Sequence, residues 1–150
     1  MEHHVETKVV EFANRILSAG GFDLTAEAEP AEPGFKVQIF GDDVSVLLAR
    51  NAEMLDALEY VCNRIFNREP GNDNRIVFDS GNYRARREKE LRLMAEKAAE
   101  KVRTSHMPFS FDPMSPNERR IIHLALVEDD TVRTESLGGG VDRKVTIYPA

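Results

Sequence analysis

Across the first eighty residues the repeat of the apolar side chains switches from helical spacing to alternation and back, which limits the chain to a mixed α and β architecture. Val5, Val9, Phe12, Ile16 and Leu17 recur at helical spacing, and Gly20-Gly21 supplies the left-handed stop expected after a last turn. Phe22, Leu24, Ala26 and Ala28 then alternate with polar residues, and after a turn containing proline and glycine, Phe35, Val37 and Ile39 alternate again. These two runs predict an antiparallel hairpin. Asp42 or Asp43 is placed to cap a short helix from Val44 to Leu48, and a break follows at Ala49–Ala52. Met54, Leu55, Leu58, Val61, Cys62 and Ile65 then form one stripe on a helix from Glu53 to about Asn67. Pro70-Gly71-Asn72-Asp73 reads as a turn, and Arg75–Asp79 as a third strand. The order is helix, strand, strand, helix, helix, strand, an α+β unit with its helices on one face of a small sheet.

Ser80 or Asn82 is placed to cap a long helix reaching about Ser105, with a buried stripe of Leu91, Met94, Ala95, Ala98 and Val102. Pro108–Phe111 reads as a short strand. Ser115-Pro116 opens another helix with proline at its tolerated first position, and Glu118 stands where a capping-box acid belongs. That helix is expected to end near Val127. Thr131–Ser136 and Arg143–Tyr148 are β-rich runs separated by the flexible Leu137-Gly138-Gly139-Gly140. The expected organisation is therefore two small domains, residues 1–80 and 81–150, joined by the long helix.

Apolar residues make up 41% of the chain and charged residues 31%, the balance of a soluble globular protein. Uninterrupted apolar stretches such as Val46–Ala49 and Ile121-Ile122 fall far short of the roughly 20 residues a bilayer requires, so neither membrane insertion nor a signal peptide is expected. The lone cysteine, Cys62, falls on an apolar helix face, which suits a core position in a reducing, cytoplasmic compartment. His3 and His4 have no cysteine beside them at ligand spacing, and no metal or cofactor is expected. The net charge of −6 is unevenly spread: residues 1–80 carry 7 Lys and Arg against 15 Asp and Glu, whereas residues 81–150 carry 13 against 11. Arg84, Arg86, Arg87, Lys89 and Arg92 crowd together, so a local site for a polyanion fits within an acidic whole.

Leu47–Leu58, reading Leu-Leu-Ala-Arg-Asn-Ala-Glu-Met-Leu-Asp-Ala-Leu, and Glu118–Leu126, reading Glu-Arg-Arg-Ile-Ile-His-Leu-Ala-Leu, resemble the Jag (KhpB) family of bacterial RNA-binding proteins. The likeness extends over nearly all of residues 5–149, through Tyr83–Glu88, Pro113–Pro116, Thr134–Ser136 and Arg143–Ile147. The resemblance implies a bacterial-type (type II) KH fold over residues 1–80. A long helix would join it to a small α/β domain with a three-stranded sheet, named for an Arg and a His with three residues between, here Arg119 and His123. It further implies cytoplasmic RNA binding linked with control of cell-envelope growth, sometimes with a KH-only partner, and an additional N-terminal domain that this chain is expected to lack.

A KH domain holds nucleotides against a Gly-x-x-Gly turn, where missing side chains let phosphates approach backbone N–H groups. Here the turn reads Ala49-Arg50-Asn51-Ala52, with two added methyls and with Glu53 behind them, so weakened RNA binding is expected of this half. Arg119 and His123 lie about 40 degrees apart along one helix edge and are able to share a ligand, the guanidinium gripping a phosphate with two hydrogen bonds and the imidazole adding another. The bland alternative makes His123 a satisfied core-edge residue and pairs Arg119 with an acid such as Glu135. Arg84 and Arg86 likewise have bland partners four residues on, in Glu88 and Glu90. Arg120, Arg84, Arg86, Arg87, Tyr83, Arg143 and Lys144 complete the candidate nucleic-acid surface, with Tyr83 and Tyr148 able to stack bases.

The leading expectation is non-catalytic binding of single-stranded RNA or ssDNA by the second half, in a post-transcriptional or cell-envelope regulatory role. A KH-only protein or a second copy is the expected protein partner. The alternative is a protein-interaction module whose KH nucleic-acid surface has been lost. A phosphoesterase using His123 with Asp129 and Asp130 lacks any accompanying metal-ligand set or nucleophile.

Overall fold

A computed structural model describes residues 2–67 and 75–150, with side chains from residue 4 onward; the turn expected at Pro70–Asp73 lies outside the described residues. The chain divides between Tyr83 and Arg84 into two compact units. Among the described residues no helix is long and apolar enough to cross a membrane.

The first unit runs α1 (Glu2–Ala19), β1 (Thr25–Pro30), β2 (Phe35–Phe40), α2 (Val44–Leu47), α3 (Ala49–Phe66) and β3 (Val77–Asp79). Helix α1 ends where Gly21 takes a φ of 75°, letting Gly21 N–H donate to Ser18 O and Phe22 N–H to Leu17 O, each at 3.0 Å. Strands β1 and β2 pair antiparallel from Thr25 opposite Phe40 to Pro30 opposite Phe35, and β3 adds parallel to β2, giving the order β1-β2-β3. Val9, Ala13 and Leu17 of α1 and Leu55, Leu58 and Cys62 of α3 share one core with Ala26, Val37, Ile39 and Phe78 of the sheet. Burial raises the Cys62 thiol to about 11, so it remains protonated and inert.

Both sheet edges are stitched by helix side chains, which satisfies backbone groups an open edge would leave unpaired. The Asn14 amide donates to Ala26 O and accepts from Ala26 N–H, while Asn63 does the same for Ile76. Glu59 accepts the Phe78 N–H at 3.0 Å. This changes the expected face of α3: Glu59 is buried at 8% exposure, whereas Val61 and Ile65 stand at 37% and 38%. Neither expected aspartate caps α2 by its side chain. Asp43 instead accepts the Asp23 N–H at 2.6 Å, across a close approach possible only because Gly41 has no Cβ.

The second unit continues α4 (Tyr83–Ser105), β4 (Phe109–Ser110), α5 (Pro116–Leu126), β5 (Val132–Leu137), a short 3₁₀ turn at Gly140–Asp142 and β6 (Lys144–Pro149). The sheet order is β4-β6-β5 with both pairings antiparallel. Leu91, Ala95, Ala98, Ala99 and Val102 of α4 pack with Ile122 and Leu126 of α5 and with Val132, Val145 and Ile147 of the sheet. Ion pairs link the helices beside this core: Arg87 of α4 meets the buried Glu118 of α5, and the more exposed Arg103 meets Asp129 after α5, each at 2.7 Å. The molecule is thus α+β, with two small three-stranded sheets.

Candidate nucleic-acid interface

Helix α5 starts behind Ser115, whose hydroxyl accepts the Glu118 N–H at 3.3 Å, with Pro116 at a position where no amide hydrogen is needed. Four residues along a helix advance about 6 Å, close to the roughly 6.7 Å between residues two apart on one face of a strand. Helix α5 and strand β5 exploit this near match as two rungs of a ladder. Arg119 Nη1 donates to Ser136 Oγ at 2.8 Å, and His123 Nδ1 lies 2.5 Å from Thr134 Oγ1. The higher-numbered helix residue meets the lower-numbered strand residue, so helix and strand run in opposite senses.

A second arginine joins the first rung. Arg143 Nε donates to Ser136 Oγ at 2.9 Å, its Nη2 to Ser136 O at 3.3 Å and its Nη1 to Gly138 O at 3.0 Å. Arg119 Nε donates to Met114 O at 3.2 Å. One hydroxyl therefore anchors two guanidiniums, and among the described residues no carboxylate forms an ion pair with either. Neutral oxygens orient both cations while leaving their charge uncompensated, which is the arrangement an anion site requires. Burial first, and the Arg119 charge second, hold His123 below its ordinary 6.5, so the imidazole is neutral at neutral pH.

The bland partner for Arg119 is excluded by strand alternation. Glu135 points to the opposite face from Thr134 and Ser136, where it pairs with Arg133. The Arg133 guanidinium also lies 4.3 Å from the Tyr148 ring centroid, so one face of that ring already carries a cation.

The other candidates have separate placements. Arg120 is exposed on α5 beside Arg119, and Lys144 is exposed at the start of β6. Arg86 is exposed on α4, Arg84 is half-buried and engaged, and Tyr83 is half-buried against the first unit's core. Arg87 is committed elsewhere: its side chain is 16% exposed, pairing with Glu118 at 2.7 Å and with Glu90 at 3.2 Å. The acids expected beside Arg84 and Arg86 thus go to other partners, Glu88 to Arg92 and Glu90 to Arg87. The capping box is half formed, because the Glu118 carboxylate turns to Arg87 and leaves Oε2 buried without a hydrogen-bond partner among the described residues.

At the Ala49–Ala52 turn, Arg50, Asn51 and Ala52 occupy the left-handed region with φ of 54°, 57° and 61°. Ala52 is fully buried in the first unit's core and its N–H donates to Leu48 O. The expectation that both methyls stand in the way of a phosphate therefore fails for Ala52, whose methyl faces inward. Ala49, Arg50 and Asn51 are exposed, and Arg50 lies 3.8 Å from Glu53.

Among the described residues no group of three or more His, Cys, Asp or Glu side chains is placed to hold a metal ion. Asp129 serves a turn, accepting from Thr131 N–H and from Arg103, and the Thr131 hydrogen bonds hold its carboxyl below the usual range. The sequence motifs by themselves assign Thr134 and Ser136 no functional role. The available signal was their spacing, two residues apart on a strand, set against Arg119 and His123 four apart on a helix.

Residues 89–149 match the family model of the R3H domain, which contains the α5 and β5 ladder and Arg143. Along nearly its whole length the chain is similar to the RNA-binding protein KhpB of Clostridium symbiosum, 34% identical over 145 residues covering 95% of this chain and 65% of that protein. It is also similar to RNA-binding protein KhpB of Bacillus subtilis, 30% identical over 131 residues covering 86% and 62% of the two. The chain therefore spans a little under two thirds of the length of these relatives.

Proposed function

We propose that this chain is a KhpB-like protein that binds single-stranded RNA without catalysis, mainly through residues 81–150, with residues 1–80 forming a KH-type domain. The observation that carries the reading is the pair of guanidiniums, Arg119 and Arg143, meeting on one hydroxyl with no carboxylate among the described residues paired to either. The similarity to relatives named as RNA-binding proteins supports the ligand class, and the element order of the first unit supports the KH assignment.

In this reading a backbone phosphate lies between Arg119 and Arg143, and the neutral His123 imidazole contributes a hydrogen bond beside it. Arg120 and Lys144 flank that position and follow the strand, while Arg84 and Arg86 extend the basic surface along α4. Arg87 acts through Glu118, holding the start of α5. The turn at Ala49–Ala52 is a weak second contact through Arg50 and Asn51, because residues 1–80 carry 15 acids against 7 bases and repel a polyanion. Phosphate gripping is indifferent to the sugar, so ssDNA binds by the same contacts. The cellular role is post-transcriptional or cell-envelope regulation, with a KH-only protein or a second copy as partner to the first domain.

The test is fluorescence polarisation of a labelled single-stranded RNA with wild type and with the double variant Arg119→Ala, His123→Ala. The variant is expected to bind at least about tenfold more weakly, the scale of one lost hydrogen bond to a charged group. Equal affinity of the two proteins would refute the reading in favour of a protein-interaction module.

A further inference from the structure

A serine hydroxyl has one hydrogen to donate and two lone pairs with which to accept. At Ser136 both lone pairs are taken, by Arg119 Nη1 at 2.8 Å and Arg143 Nε at 2.9 Å. Neither guanidinium has any capacity to accept. The Ser136 hydrogen therefore has no acceptor among the described residues, although two cations pull electron density from its oxygen and make it a stronger donor. The residue is half-buried on β5, an edge strand of its sheet.

We infer that Ser136 is itself a phosphate-binding residue: its O–H donates to the same phosphodiester group that the Arg119 and Arg143 guanidiniums grip. The inference rests on the RNA-binding reading and assigns the third donor of that site. It also accounts for the residue type. A carboxylate at position 136 would hold both arginines more tightly but cancel their charge, and an alanine would remove the donor while the backbone oxygens of Met114, Ser136 and Gly138 still held the guanidiniums. A hydroxyl holds two cations, keeps their charge available and adds a donor of its own.

The experiment measures the affinity of a labelled oligouridylate across a salt series for wild type, Ser136→Ala, Ser136→Thr and the double variant Arg119→Ala, His123→Ala. A neutral donor releases no counterion, so losing it lowers affinity without altering the salt slope, whereas freeing an arginine from its phosphate reduces the slope by about one. Ser136→Ala is expected to bind about tenfold more weakly at every salt concentration with an unchanged slope. Ser136→Thr, which keeps the hydroxyl on a strand that favours β-branched residues, is expected to restore most of the affinity. A reduced slope in Ser136→Ala would overturn the direct contact and leave Ser136 a positioning residue, and unchanged affinity would overturn it outright. If wild type binds and the double variant does not, those failures belong to Ser136 alone; if wild type itself does not bind, the RNA-binding reading falls first.

Discussion

His123 sits against Thr134 one helical turn from the Arg119 guanidinium, and burial together with that charge keeps its pKa below 6.5. The folded protein thus resists protonating it, so the contribution of His123 to stability is present above about pH 6.5 and lost as pH falls toward the lowered value. A bound phosphate reverses the local charge and raises the pKa, so binding takes up a proton. RNA affinity is expected to rise between about pH 7.5 and pH 5.5, and His123→Gln is expected to lose that increment in a polarisation titration. A wild-type affinity flat across the same range would contradict this linkage. At the Ala49–Ala52 turn the relevant term is backbone strain. A left-handed residue other than glycine costs about 1–2 kcal/mol in a run of such residues, so Arg50→Gly is expected to raise the denaturation midpoint by the equivalent of about 1 kcal/mol. Ala52→Gly gains similar freedom but removes a buried methyl worth about 0.8 kcal/mol, and is expected to be nearly neutral. A destabilised Arg50→Gly protein would show that the strain argument fails.

Among the elements, α4 and α5 are held together by a pair that sequence spacing does not reveal. Arg87 and Glu118 are 16% and 7% exposed, and removing one partner of a buried pair strands the other charge, typically at about 3–5 kcal/mol. Arg87→Met is expected to approach that loss in urea denaturation, whereas Arg86→Met on the exposed side is expected to change stability by less than about 0.5 kcal/mol. Equal effects from the two would contradict the assignment. Arg86 and Arg87 look alike in the sequence because a basic run has no periodicity of its own, and only the packed helix distinguishes its faces. Periodicity did reveal α1, α4 and α5 as helices, although Val5 and Ile16 of the expected α1 stripe are exposed and Ser80, an expected cap of α4, donates its hydroxyl to Ile39 O. It misjudged α3, where Glu59 faces inward because the β3 edge needs an acceptor for Phe78 N–H, a demand no local pattern encodes. Arg119 and His123 were legible as a pair. Their partners Thr134 and Ser136 were not, because small hydroxyl residues on a strand are commonplace until a helix is laid beside them.

For the whole molecule the charge is unevenly divided between the two halves of the chain. In residues 81–150, Glu88, Glu90, Glu118, Asp129 and Glu135 are taken by Arg92, Arg87, Arg103 and Arg133, and Arg119, Arg120, Arg143 and Lys144 are among the bases that have no ion-pair partner among the described residues. A chain of net charge −6 thereby offers a polyanion a basic stretch along α5 and the start of β6, while residues 1–80 remain acidic. The most direct test follows the arginine side chains themselves in the full chain, by recording Nε–H NMR signals while single-stranded RNA is added. The Arg119 and Arg143 signals are expected to shift together as the RNA saturates, with Arg87 and Arg103 unmoved in their ion pairs. Movement of the paired arginines while Arg119 and Arg143 stay fixed would contradict the account.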